Sequence, residues 1–178
     1  MTGPLVVAAT ALEASHVPAG LPVAVVGIGK VPSAHATTLA VAEHRPSSIV
    51  NIGTAGSLVG HEGLFVPSRV LNHDLSAAAL RALGIDPEDE LEIAGGDGSV
   101  LATGDTFVTD PVVRDALARR AGLVDMEGYA IAFVAARMGV PCRLVKHVSD
   151  QADDSALDWL DAVDASARVL GAWLADHV

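Results

Sequence analysis

The stretch Ser48-Ile-Val-Asn-Ile-Gly-Thr-Ala-Gly-Ser57 runs an apolar segment straight into a glycine-rich one. Residues 48–52 form a short continuous apolar run bounded by polar residues and glycine, the pattern of a strand covered on both faces. Leu5-Val-Val-Ala-Ala9 and Pro22-Val-Ala-Val-Val26 read the same way, so all three are expected to be central strands. Between Val26 and Ser48, residues 31–44 have helical spacing, starting after Gly29 and stopping before Pro46, with Val31, Ala34, Thr38, Val41 and Ala42 near one face.

Working outward, residues 65–71 and 100–103 read as strands and residues 76–83 as a short helix that Gly84 ends. Asp110-Pro111 opens another helix, with Asp at the N-cap and Pro in the first turn. A strand over 122–126, a helix over 127–138 closed by Gly139, a strand over 142–148 and an amphipathic helix over 157–174 complete the chain. Residues 86–98, rich in acid, Gly and Pro, read as a surface loop. The alternation predicts an α/β sandwich on a mostly parallel or mixed sheet, in one domain spanning residues 1–178.

Composition narrows the function. The 178 residues suffice for one sizeable core, and although 51% are apolar no run approaches the ~18 residues of a membrane span. No Lys or Arg precedes the first apolar stretch, which Glu13 interrupts, so no secretory signal is read there. A net charge of −11 repels phosphate backbones and anionic lipid, which argues against nucleic-acid or membrane partners. The single Cys142 permits no internal disulfide and fits a reducing cytoplasm. The seven His residues are scattered without metal-ligand spacing, and Gly27-Ile-Gly-Lys30 lacks the rest of a P-loop or dinucleotide fingerprint. Neither a metal nor a cofactor is expected. With 3% aromatics, the core must be built from small and β-branched side chains.

Three segments place small or acidic residues where a strand ends, the position at which open α/β sheets bind ligands. Asn51-Ile-Gly-Thr-Ala-Gly-Ser57 reads as a glycine-rich turn that lets backbone N–H groups approach a ligand, or simply as a tight turn. In Val124-Asp-Met-Glu127, Glu127 also suits the positive end of a helix. In Val148-Ser-Asp150, the acid also suits an N-cap or Asx turn.

Together these segments resemble the nucleoside phosphorylase and nucleosidase superfamily, and within it the 5′-methylthioadenosine/S-adenosylhomocysteine nucleosidases. The resemblance runs in family order through residues 9–13, Gly27-Ile-Gly-Lys-Val31, Asn51-Ile-Gly-Thr-Ala-Gly56, Thr103-Gly-Asp-Thr-Phe-Val108, Val124-Asp-Met-Glu127 and Val148-Ser-Asp-Gln-Ala-Asp153. It implies a three-layer α/β/α sandwich around a mixed, mostly parallel central sheet, and a homo-oligomer, dimer or hexamer. It implies that Asp150 protonates N7 of a purine as the glycosidic bond breaks, that Ser149 orients Asp150, and that Glu13 activates water. Glu127 would hold the ribose hydroxyls and Met126 lie against the sugar. Phe107 and Val108 would stack on and hydrogen-bond the base, and Thr54, Ala55 and Gly56 would line the substrate site.

The chemistry supports that division of labour. Breaking an N-glycosidic bond leaves an electron-poor sugar and an electron-rich base, so a proton donor is needed on one side and a nucleophile on the other. Asp150 has to be protonated and Glu13 ionised near neutral pH, which requires different surroundings.

Water is the expected nucleophile. Related phosphorylases have a phosphate-gripping Arg where this chain has Asn51, which cannot supply that charge. Phosphorolysis and a non-catalytic nucleoside binder are the alternatives, and Lys30 reads as a structural or solvated residue. The stretch over 75–99 is shorter than in the nucleosidases, and the Met that commonly lines their alkylthio side is replaced near Thr10 or Ala11. The substrate class therefore spans adenosine-type nucleosides, including methylthioadenosine, S-adenosylhomocysteine and aminofutalosine. Trp159 and Trp173, fourteen residues apart on the last helix, read as core or subunit contacts.

Overall fold

A computed structural model describes residues 3–178 except 155, 157 and 158. The first strand, β1 (Leu5–Ala8), is buried along its whole length and pairs in parallel with β2 (Val23–Val25) on one side and β3 (Ile49–Ser57) on the other. Beyond them follow β4 (Leu64–Phe65), β5 (Arg69–Asn72), β6 (Glu90–Glu92), β7 (Val100–Thr103), β8 (Leu123–Asp125) and β9 (Cys142–Asp150). The helices are α1 (Lys30–His44), α2 (Ala77–Ala82), α3 (Pro111–Leu117), α4 (Gly128–Arg137) and α5 (Trp159–His177).

Strand β3 is the spine of one mixed sheet. It runs parallel to β9 from Ile49 to Gly56, and its last residues cross over to pair antiparallel with β8, where Gly56 faces Val124. From there the order continues β8-β7-β5-β6. Side chains alternate across the sheet as a strand period of two demands. Leu5, Val7 and Ile49 pack under α1 and α4 with Val41, Ile131 and Ala135. Val6, Ala8, Val50 and Ile52 face the other way, onto Leu170 and Leu174 of α5. The result is the three-layer α/β/α sandwich.

Several local expectations are corrected. Strand β2 is not central: it lies at the sheet edge, with Val25 52% exposed. An apolar run reports affinity for a covered face but not which neighbour covers it. The glycine-rich segment is no turn, since residues 53–57 continue β3 with a bulge in its pairing to β9 after Ala55. Residues 65–71 hold two separate strands either side of Pro67, which lacks the N–H a continuous ladder needs. The loop over 86–98 contains β6, antiparallel to β5. On α1 the buried residues are Ser33, Thr37, Ala40 and Val41, whereas Val31 is 77% exposed. The last helix is described from Trp159, and Leu157 lies outside the described residues. Asp110 caps α3 through its carboxylate, which accepts from the Val112 N–H at 2.8 Å.

Candidate active site

A cavity of ≈ 320 Å³ opens where β1, β3, β8 and β9 end, and it is lined by Glu13, Thr54, Ala55, Gly56, Phe107, Val108, Met126, Glu127, Ser149 and Asp150. These are the ten residues singled out from the sequence, drawn from five separate segments. Ala9, Thr10, Ile28, Thr106, Val124, Asp125 and Trp159 complete the wall.

Glu13 follows β1 in a turn and is 5% exposed. One carboxylate oxygen accepts from the N–H and hydroxyl of Thr10, both at 3.1 Å, and the other from the N–H and hydroxyl of Thr54, at 2.9 and 3.1 Å. Its position depends on Gly53, where a Cβ would stand 3.1 Å from Glu13 Oε1 and 3.3 Å from Lys146 Nζ. The spacing of this glycine serves close approach of side chains to β3, rather than a turn.

Asp150 ends β9. One oxygen accepts from the Ser149 hydroxyl at 2.7 Å and the other from the Ala152 N–H at 2.9 Å, an Asx turn that holds Ala152 at a positive φ of 50°. A Cβ on Gly56 would come within 2.9 Å of Asp150 Oδ1, so the second glycine of the segment makes room for this carboxyl.

Glu127 precedes α4 without capping it. Its carboxylate instead reaches the Gly29 N–H at the start of α1, at 2.8 Å. Burial, reinforced by the nearby Asp125 carboxylate, raises its pKa from 4.5 to about 7.

Beneath Glu13 and Glu127 lies a buried pair that sequence reasoning missed. Lys146, 2% exposed, meets Asp125 at 2.8 Å. Burial alone would lower the ammonium pKa, but the carboxylates of Asp125 and Glu127 overcome this and raise it. Asp125 also accepts from the Thr103 hydroxyl at 2.6 Å and the Gly128 N–H at 2.9 Å. The available signal was a lysine inside the apolar run Leu144-Val-Lys-His-Val148, because a charge in a covered strand must be paired.

The segment 103–108 thus has a structural half, with Thr103 on Asp125 and the Lys30 N–H donating to Asp105 at 2.8 Å. The Lys30 ammonium is engaged by Asn72 and Asp74, a structural role. Asn51 is buried off the cavity wall, donating to the carbonyls of Val7 and Ile52 at 3.0 and 3.2 Å. Trp159 corrects its expected role: it lines the cavity and donates from its indole nitrogen to the Thr54 hydroxyl at 2.7 Å. Its spacing to Trp173 carried no hint of this, because both readings place it on one helix face.

This arrangement puts the carboxyl groups of Glu13 and Asp150, each with different partners, on one cavity large enough for a small molecule, a pairing suited to acid–base chemistry on a glycosidic bond. The Phosphorylase superfamily profile matches residues 19–87 and 98–175, and the chain belongs to that superfamily. The unmatched gap between them contains β6. Among curated relatives, the aminodeoxyfutalosine nucleosidase of Helicobacter pylori strain J99 is 33% identical over 154 residues, covering 72% of this chain and 66% of that protein, just under two thirds of its length. The 5′-methylthioadenosine/S-adenosylhomocysteine nucleosidase of Shewanella sp. strain W3-18-1 is 30% identical over 161 residues, 75% of this chain and 69% of that one. Among solved structures, the Helicobacter pylori 5′-methylthioadenosine/S-adenosylhomocysteine nucleosidase, complexed with a pyrrolopyrimidine-bearing pyrrolidinol, superposes with a TM-score of 0.88 at 25% identity, covering 98% of this chain and 97% of that one.

Proposed function

We propose that the protein is a purine nucleoside N-ribosylhydrolase that cleaves the N-glycosidic bond of adenosine-type nucleosides such as methylthioadenosine, S-adenosylhomocysteine or aminofutalosine. The observation that carries this reading is the single cavity shared by Glu13, Glu127 and Asp150. An aminodeoxyfutalosine nucleosidase and a 5′-methylthioadenosine/S-adenosylhomocysteine nucleosidase stand among its relatives.

In this reading Asp150, oriented by Ser149, gives a proton to the departing base. Glu13, fixed by four hydrogen bonds, accepts one from the attacking water. Glu127 holds the ribose hydroxyls, exchanging its Gly29 contact for them, while Met126 lies against the sugar. Phe107 and Val108 receive the base, and Thr54, Ala55 and Gly56 form the floor. Asn51 is spent on backbone carbonyls and offers phosphate no charge, which favours water over phosphorolysis.

The chain works as a cytoplasmic homo-oligomer in this account. Ile28 and Phe107 line the cavity yet are 55% and 49% exposed, an apolar rim suited to cover by a second copy.

The test is to incubate the protein with adenosine, methylthioadenosine, inosine and aminofutalosine in phosphate-free buffer and assay free base. Base release without phosphate is expected, and Asp150→Asn should lower kcat by about 10²-fold or more at unchanged melting temperature. Release only on adding phosphate would establish a phosphorylase. Equal activity of wild type and variant would remove Asp150 from its role.

A further inference from the structure

Trp159 reaches the general base through one intermediary. Its indole N–H can only donate, and it donates to Thr54 Oγ1 at 2.7 Å. A hydroxyl has a single proton, which here points to Glu13 Oε1 at 3.1 Å. The direction of this chain follows from chemistry: the indole occupies an oxygen lone pair and can accept nothing back, so the hydroxyl proton is left for the carboxylate. The Thr54 N–H reaches the same oxygen at 2.9 Å, so Glu13 Oε1 is held by two groups of one residue whose own rotor is pinned from α5. Trp159 also lies only nine positions beyond Asp150 in the chain, so the segment that carries the proposed acid delivers the group that steadies the proposed base.

We propose that Trp159 is a positioning residue for Glu13, acting through the Thr54 hydroxyl, and not merely a wall of the cavity. The kinetic part of this proposal rests on the nucleosidase reading above; the structural part does not.

Trp159→Phe keeps an aromatic ring and removes the donor. It should lower kcat about threefold to tenfold, the effect of one neutral hydrogen bond, with KM changed less than twofold. In a Thr54→Val background, where the relay is already cut, the same replacement should cost kcat less than twofold. Thr54→Ser, which retains a hydroxyl, should restore the full effect and keeps the cycle interpretable if the valine variant does not fold. Independent, multiplying losses, or a fall in binding alone, would overturn the proposal.

A second readout needs no turnover. The protein has two Trp residues, so its NMR spectrum carries two indole N–H resonances. The one that vanishes in Trp159→Phe should move in Thr54→Val and stay in place in Thr54→Ser, whereas the Trp173 signal, from a ring stacked on His177, should not move. A Trp159 resonance indifferent to Thr54→Val refutes the contact. A protein that cleaves no nucleoside yet shows that shift keeps the relay and loses the nucleosidase reading.

Discussion

Glu127 is a cavity side chain whose surroundings move its titration into the neutral range. Its carboxyl is buried next to Asp125, and the raised value of about 7 means the folded state holds a proton that the unfolded chain releases near 4.5. The stabilisation that proton supplies is fully present below about pH 4.5 and is lost as pH rises through 7, at most about 3 kcal/mol. Glu127→Gln abolishes the titration. Its melting temperature relative to wild type should therefore climb between about pH 5 and pH 8, and thermal scans at several pH values check this; a constant difference would show that the cluster does not share the proton. In the proposed reaction the same group meets ribose hydroxyls, and a carboxyl that titrates near neutrality can accept or donate to them at little cost.

At the scale of elements, β9 carries much of the burden. It is the partner of β3 along most of that strand, it delivers Ser149 and Asp150 to the cavity, and it carries Lys146 inside the sheet. Lys146→Met would leave Asp125 buried opposite a thioether, so it should destabilise the fold by about 3–5 kcal/mol in urea denaturation. A loss near zero would mean that water reaches the pair. The elements also show how far sequence reading extends. The strands β1, β3, β7, β8 and β9 and the helices α1 and α4 were legible from apolar runs and glycine or proline punctuation, because those signals are local. The edge position of β2 and the pairing of β6 were not, because both depend on which strand lies alongside. The buried face of α1 was misread in part because the polar Ser33 and Thr37 are buried on it, whereas Val31 is exposed.

For the whole molecule, the charge of −11 and the exposed apolar residues pull in opposite directions. Like charge opposes association, while Val25, Ile28, Val31 and Phe107 present apolar surface near the cavity end of α1 and β2 that favours it. If a second copy covers this surface, the protein should sediment above monomer mass at micromolar concentration, more so with added salt, which screens the repulsion. Val31→Glu should shift it toward monomer. A wild-type chain that stays monomeric across a wide concentration range would mean that the cavity rim is complete in one subunit.

The sequence alone determined the layered α/β class and the six ordered segments that meet at the cavity, because burial periodicity and short motifs are properties of neighbouring residues. Tertiary structure alone decided that a lysine sits beneath the carboxylates, that a tryptophan from the last helix reaches the threonine beside Glu13, and that the glycines at 53 and 56 serve close approach instead of a turn. Each of these depends on distances between residues far apart in the chain, which appear only when the sheet has brought their strands side by side.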